Sequence, residues 1–420
     1  MAKAAARTQF PLPATEDLAG QRARSPLADQ KIKQVEAFPV SVKYAIPVSS
    51  AYGTRYFMDG VFLKITTDAG QVGFGEAGAV IPGYLGETQE SIMAAITKVI
   101  APGALIGADP LCIGAIVQRM DALLLGNTQA KAVVDLALHD LAGHILGIPA
   151  YKLLGGGGNI RNPIAWVVTA NDLTQVTEDA RRAAEAGFGH VDIKVAALSP
   201  DEDVRRVASV RDAVGMDVNL TVDANGAWTP DVAIHTLNRM RPYDLYGVEQ
   251  PTADIIGLGE VRRRTGLTVV ADEAVRSMAD LRAVIEAHAV DVCGVKIARV
   301  GGMYKTRQML NVAEAAGMPF EILSTVGTGL LCAAEASMLS SSGWFNRWAI
   351  GHKASNGLMF ISGKLSTKEM DRSHDLIRGG VEIENAKVLT PSGVGLGVEV
   401  DEDVLMKSLS KGFEPVVVSS

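Results

Sequence analysis

Between residues 35 and 75 the hydrophobic and polar positions follow a strand-like pattern. Phe62-Leu63-Lys64-Ile65-Thr66-Thr67, then Asp68-Ala69-Gly70-Gln71 and Val72-Gly73-Phe74-Gly75, reads as a hairpin with Asp/Gly turn chemistry. The period then lengthens, and helices are predicted over 90–100, 110–125 and 130–146, the last stopped by Gly147. Strands first and helices afterwards describe a separate α+β unit. After Gly155-Gly156-Gly157-Gly158 the rhythm changes again. Short β-branched runs at 164–168, 191–195, 218–222, 245–248, 268–271, 292–297 and 320–323 alternate with amphipathic segments. Ser199-Pro200-Asp201-Glu202 is a capping box with proline at the first helical position, and Thr229-Pro230-Asp231 opens a helix in a similar way. Such β-α alternation implies a parallel sheet, open or closed into a barrel. From about Gly343 the rhythm is lost, and 381–388 is strand-like again. The glycine run lacks the Lys-Ser/Thr of a phosphate loop and is expected to be a turn joining two domains.

Composition narrows the function classes. The 420 residues are more than one core usually serves, and 48% hydrophobic with 21% charged residues is an ordinary globular balance. A formal charge of −7 argues against nucleic acid or an anionic membrane as partner, and no apolar run reaches the length of a membrane span. Three scattered cysteines (Cys112, Cys293, Cys332) fit buried thiols in a reducing, cytoplasmic setting. Residues 1–30 mix Ala, Arg, Pro and Ser without a sustained period and are expected to form a flexible extension.

The chemistry lies at the strand ends. Lys194, Asp223, Glu249, Asp272 and Lys296 each close one of five successive apolar runs, in steps of 29, 26, 23 and 24 residues. Each step is about one βα unit of an eight-fold barrel, whose active site lies at this C-terminal rim. Charged groups ending buried strands are costly unless paired or metal-bound. Three carboxylates from adjacent strands make a hard oxygen site suited to Mg²⁺, with Mn²⁺ as a possible substitute. Counted from the run at 164, Lys194 ends strand two and Lys296 strand six, on opposite sides of an eight-membered ring. A carboxylate substrate on the metal would lie between two amines. That suits removal of an α-proton on one face and its return on the other, with the metal stabilising the enediolate charge.

These residues also carry a resemblance. Gly126-Asn127-Thr128, residues 147–156, Val222-Asp223-Ala224-Asn225-Gly226-Ala227-Trp228, Val248-Glu249-Gln250-Pro251, Ala271-Asp272-Glu273 and residues 295–302 together resemble the muconate-lactonising branch of the mandelate racemase/muconate cycloisomerase family, within the enolase superfamily. Enzymes of that superfamily pair a lysine or histidine base with Mg²⁺. The resemblance spans roughly 33–405 and implies an α/β barrel, a modified (β/α)₇β TIM barrel, with an α+β N-terminal capping domain. The expected division is 31–155 for the cap, 156–345 for the barrel, and 346–420 for a segment returning to the cap. It implies Asp223, Glu249 and Asp272 as metal ligands and Lys194 and Lys296 as the acid/base pair. Asn225, Gln250 and Glu273 fall beside the ligands. The loop Ala51-Tyr52-Gly53-Thr54-Arg55-Tyr56 matches the family's capping loop, which places Tyr52 and Arg55 as substrate contacts. A homo-oligomer would also resemble the family.

Two positions depart from the family pattern. The usual Lys-x-Lys of the second strand is Asp192-Ile193-Lys194 here. Alternate strand residues share a face, so Asp192 should pair with Lys194 and raise its pKa. On the eighth strand many members place a glutamate where ungapped comparison puts Val326, with Glu321 nearby. Both changes weigh against true muconate lactonisation. His190 starts its strand, where barrel-bottom packing and a site role are equally open, whereas His352 and Lys353 are expected to be solvated. The reading is a Mg²⁺-dependent isomerase of a small carboxylate, either cycloisomerase or racemase/epimerase. A dehydratase and a non-catalytic barrel are the alternatives.

Overall fold

The computed structural model describes residues 30–169, 171–347, 351–370 and 376–420; the expected extension, up to residue 29, lies outside them. Strands Ile32–Ser50, Gly53–Thr67 and Val72–Glu76 form an antiparallel sheet, and Val416–Ser419 adds a fourth strand beside the first. The predicted hairpin is present, and Gly70 takes φ +80° in its turn, where an L side chain would be strained. The first predicted helix begins at Gln89–Ala94 but widens into π-type turns over Ala95–Leu105, with Pro102 inside, since proline cannot donate to the regular ladder. Thr128–Leu146 is buried almost all round. One side lies on the antiparallel sheet, where Gly73 and Gly75 leave no Cβ to collide with its backbone. On the other, Asp135 Oδ2 accepts from the Met303 amide at 2.5 Å.

The second layer is the barrel. Seven parallel strands stand in sequence order: Trp166–Val168, His190–Lys194, Asn219–Asp223, Leu245–Glu249, Thr268–Ala271, Val292–Lys296 and Phe320–Leu323. Helices follow them, most opened by a capping side chain: Asp172, Ser199, Thr229, Asp254, Ser277 and Thr328. The eighth place in the ring is not where Val326 stands. Residues 324–327 are a loop after the seventh strand, in which Val326 has φ +59° and accepts from the Ala79 amide at 3.0 Å. A β-branched residue in that conformation cannot continue a ladder. The ring is closed instead by residues 351–353, with His352 bridged to Ile164 and Lys353 bridged to Leu323, beyond the expected barrel limit of 345. Gly351 is needed there, because a Cβ would collide with the Ile164 backbone.

The two layers are tied by buried Glu76, at the end of the third antiparallel strand. Its carboxylate accepts from Thr328 N at 2.7 Å, Thr328 Oγ1 at 2.7 Å and Leu331 N at 3.0 Å. Glu76→Ala leaves those donors without it and is expected to destabilise the fold by about 2–3 kcal/mol in urea unfolding. Among the described residues no helix is long and apolar enough to cross a membrane.

Candidate active site

Parallel register brings the strand-end charges onto one rim. Lys194 pairs with Asp223 across the second and third strands, and Asp223 with Glu249 across the third and fourth. Glu249 pairs with Val270, two residues before Asp272, so both carboxylates belong to the same inward-facing alternation. Asp223, Glu249 and Asp272 are buried, as is Lys296, while Lys194 is partly exposed. Backbone strain gathers directly after these strands: Ala196, Asn225 and Gln250 have φ of +66°, +47° and +37°. Such strain is characteristic of residues aimed at a site.

Every acid has a cationic partner. Lys194 binds Asp223, and Lys296 Nζ lies 2.7 Å from Asp272 Oδ2. Asp272 is further held by Arg299 Nη1 at 2.6 Å and by Tyr84 Oη, which donates at 2.5 Å. Glu249 binds Lys353. Asn225 donates from its backbone to Asp223 Oδ1 at 2.7 Å, and from Nδ2 to Asp223 Oδ2 at 3.1 Å and Glu273 Oε1 at 3.0 Å. Gln250 Oε1 accepts from the Asp272 and Ala274 amides at 2.8 and 3.1 Å, which fixes the turn carrying the third acid. With the acids so occupied, no cluster of three or more His, Cys, Asp and Glu side chains encloses a metal-sized site among the described residues.

Asp192 pairs with Lys194, as expected, but lies closer to Lys353. Its Oδ2 is 3.9 Å from Lys194 Nζ, whereas its Oδ1 is 2.9 Å from Lys353 Nζ and accepts from Thr221 Oγ1 at 2.5 Å. The Thr221 hydroxyl is itself 2.9 Å from His190 Nε2, so His190 donates to it and buttresses Asp192. His352 and Lys353, expected in solvent, are both buried, because the segment they occupy closes the barrel. Burial favours the neutral amine of Lys353, but Asp192, Glu249 and Glu321 hold it charged, well above the usual lysine range.

The carboxylates are crowded. Burial raises Asp223 well above its ordinary value, and Glu249 adds to the rise while Lys194 opposes it. Glu273 is pushed up to about 7 by burial and then by Asp272, and Glu321 to about 8 by burial against the pull of Lys353. Asp272 goes the other way, since Arg299 and Lys296 outweigh its desolvation. Lys194 is lowered by burial but more than recovered by Asp223, then Asp192 and Glu249, so its ammonium is held. Buried Glu273 Oε2 and Asn225 Oδ1 have no hydrogen-bond partner among the described residues. Crowded carboxylates beside buried oxygens short of a donor fit a hard divalent cation.

Of the predicted substrate contacts, Tyr52 is near the site, its ring 5.0 Å from that of Tyr84. Arg55 is half-buried and exerts its charge on Tyr44. Sequence reasoning missed Tyr84, Arg299 and Lys353. Arg299 stands inside a quoted motif, and Lys353 could have been suspected from the cation lost at Asp192. Tyr84, carried by the single turn Pro82–Leu85, gave no signal.

Known proteins share this architecture. Residues 32–155 match the family model for the mandelate racemase/muconate lactonizing enzyme N-terminal domain, and 175–404 match the enolase C-terminal domain-like model. The L-Ala-D/L-Glu epimerase of Clostridium acetobutylicum is 36% identical over 294 residues, 68% of this chain and 80% of the epimerase. A solved mandelate racemase/muconate lactonizing family protein from Azoarcus sp. EbN1 superposes with a TM-score of 0.86 at 35% identity, covering 93% of this chain and 100% of that one. A dipeptide epimerase from Cytophaga hutchinsonii, solved with Mg and the dipeptide D-Ala-L-Val, gives 0.82 at 26% identity over 93% of this chain and 100% of that one.

Proposed function

Because this chain belongs to the mandelate racemase/muconate lactonizing enzyme family of the enolase superfamily, and is an isomerase of that family, we propose that it racemises or epimerises a small carboxylate at its α-carbon, using two opposed lysines. The supporting observation is the position of those lysines. Lys194 and Lys296 end the second and sixth strands of a ring closed at the eighth place, four strands apart, with the three acids between them in order.

Asp223, Glu249 and Asp272 would hold a magnesium ion, with Asn225 and Gln250 orienting the first and third of these acids. When bound, the ion supplies positive charge that binds the substrate carboxylate and offsets the charge developing as the α-proton leaves. Each lysine can then serve either as amine, to take the proton from its own face, or as ammonium, to return one to the other. Passage in one direction uses Lys194 as base and Lys296 as acid, and the reverse passage exchanges the roles. Tyr52, whose ring lies 5.0 Å from that of Tyr84, would meet the rest of the substrate.

Screening small carboxylates, dipeptides among them, for α-proton exchange in D₂O tests the reading without prior choice of product. Exchange with inversion and unchanged mass apart from deuterium supports it, and loss of water would favour a dehydratase. Chelation is expected to abolish exchange and Mg²⁺ to restore it. Asp223→Asn should weaken Mg²⁺ binding in calorimetry by at least about tenfold, since loss of groups that merely orient a ligand already costs that much. Undiminished affinity in that variant would place the metal elsewhere.

A further inference from the structure

One contact to the acid/base machinery comes from outside the barrel. Pro82–Leu85 is a single helical turn, begun by proline and ended by Gly86 at φ +89°. It is pinned on both sides. Ala79 N donates to Val326 O at 3.0 Å, and Glu87 Oε2 accepts from Gln129 N at 2.7 Å, at the start of the long buried helix. Tyr84 is thereby driven into the barrel mouth and buried.

Its two ends act on different groups. The hydroxyl donates to Asp272 Oδ2 at 2.5 Å, the same oxygen that Lys296 Nζ contacts at 2.7 Å. The ring lies 5.4 Å from Lys296 Nζ and 4.7 Å from the Arg299 guanidinium carbon, within range of a cation–π attraction for both. Lys194 is held by Asp223 and, more distantly, Asp192, and no ring covers its ammonium among the described residues. The two lysines are thus alike in strand position and unlike in support.

We propose that Tyr84 is a positioning residue for the Lys296 side of the reaction, its hydroxyl aligning Asp272 and its ring seating the lysine. The inference rests on the two-lysine reading above. It means that a ring of the N-terminal layer supports one of the two lysines and not the other. A purely structural tyrosine would affect both faces alike.

Tyr84→Phe keeps the ring and loses the hydroxyl; Tyr84→Leu loses both. With Mn²⁺ as the probe metal, followed by electron paramagnetic resonance, Tyr84→Phe is expected to bind about tenfold more weakly than the unmodified protein. With L-Ala-L-Glu and L-Ala-D-Glu as probes, deuterium exchange is followed separately for each diastereomer. Lys296→Ala identifies the diastereomer whose exchange needs Lys296. Tyr84→Leu should slow that exchange by about tenfold relative to the other. Unchanged Mn²⁺ affinity in Tyr84→Phe overturns the role of the hydroxyl. Equal slowing of both diastereomers by Tyr84→Leu overturns that of the ring. If the unmodified protein exchanges neither diastereomer, the proton-transfer reading fails for these probes, and the Mn²⁺ titration still decides the tyrosine's hold on Asp272.

Discussion

Lys296→Ala is expected to lower turnover by about 10²–10⁴-fold while leaving α-proton exchange intact for one enantiomer of the substrate. The remaining Lys194 can still remove and replace a proton on its own face, but nothing on the far face can complete inversion. Lys194→Ala should give the mirror result, with exchange surviving for the other enantiomer only. Lys296→Ala is the cleaner change structurally, because Asp272 keeps Arg299 at 2.6 Å and Tyr84 at 2.5 Å after the lysine is gone. Lys194→Ala leaves Asp223 only the Asn225 donors among the contacts described above. Mass spectrometry of deuterium uptake, combined with chiral separation, reads exchange and inversion independently. Two single variants that each invert substrate at near-normal rates would show that another group carries the proton.

How much of this could be read in the chain depended on what kind of pattern carried it. The seven barrel strands were legible because β-branched runs, helix caps and strand-end charges recur at one period, and an error in one unit is corrected by its neighbours. Thr268–Ala271 and Phe320–Leu323 match the predicted runs, and the other strands fall within two residues of them. The closing segment at 351–353 was not legible. It makes isolated bridges rather than a ladder, so it needs no β-branched run, and its glycine is dictated by the Ile164 backbone, a residue far off in sequence. The strand-end residues share this contrast. Lys194, Asp223, Glu249, Asp272 and Lys296 follow the repeat, whereas Tyr84 reaches Asp272 from 188 residues away on a turn with no repeat at all. Burial also misled: a Gly-His-Lys sequence looks solvated until the acids that neutralise the lysine are seen around it.

Those acids tie Lys353 to the second strand, where the family's usual lysine is replaced by Asp192. Lys353 Nζ sits 2.9 Å from Asp192 Oδ1 while also binding Glu249 on the fourth strand, across the ring. Lys353→Met is therefore expected to destabilise the protein by about 3–5 kcal/mol, because removal of one partner leaves buried carboxylates uncompensated. Lys194, at 3.9 Å from Asp192 and already bound to Asp223, is poorly placed to take over. Asp192→Asn in the same chain removes one of the stranded charges and keeps an acceptor for Thr221 Oγ1, so the double variant should recover part of the loss. The coupling between the two positions should lie within about 0.5–3 kcal/mol, the range for residues in one network. Urea unfolding of the four proteins in a chelator isolates this term from metal binding. Additive losses would mean that Asp192 and Lys353 are held by their separate neighbours, and an unshifted midpoint in Lys353→Met would mean that the barrel closes without the lysine.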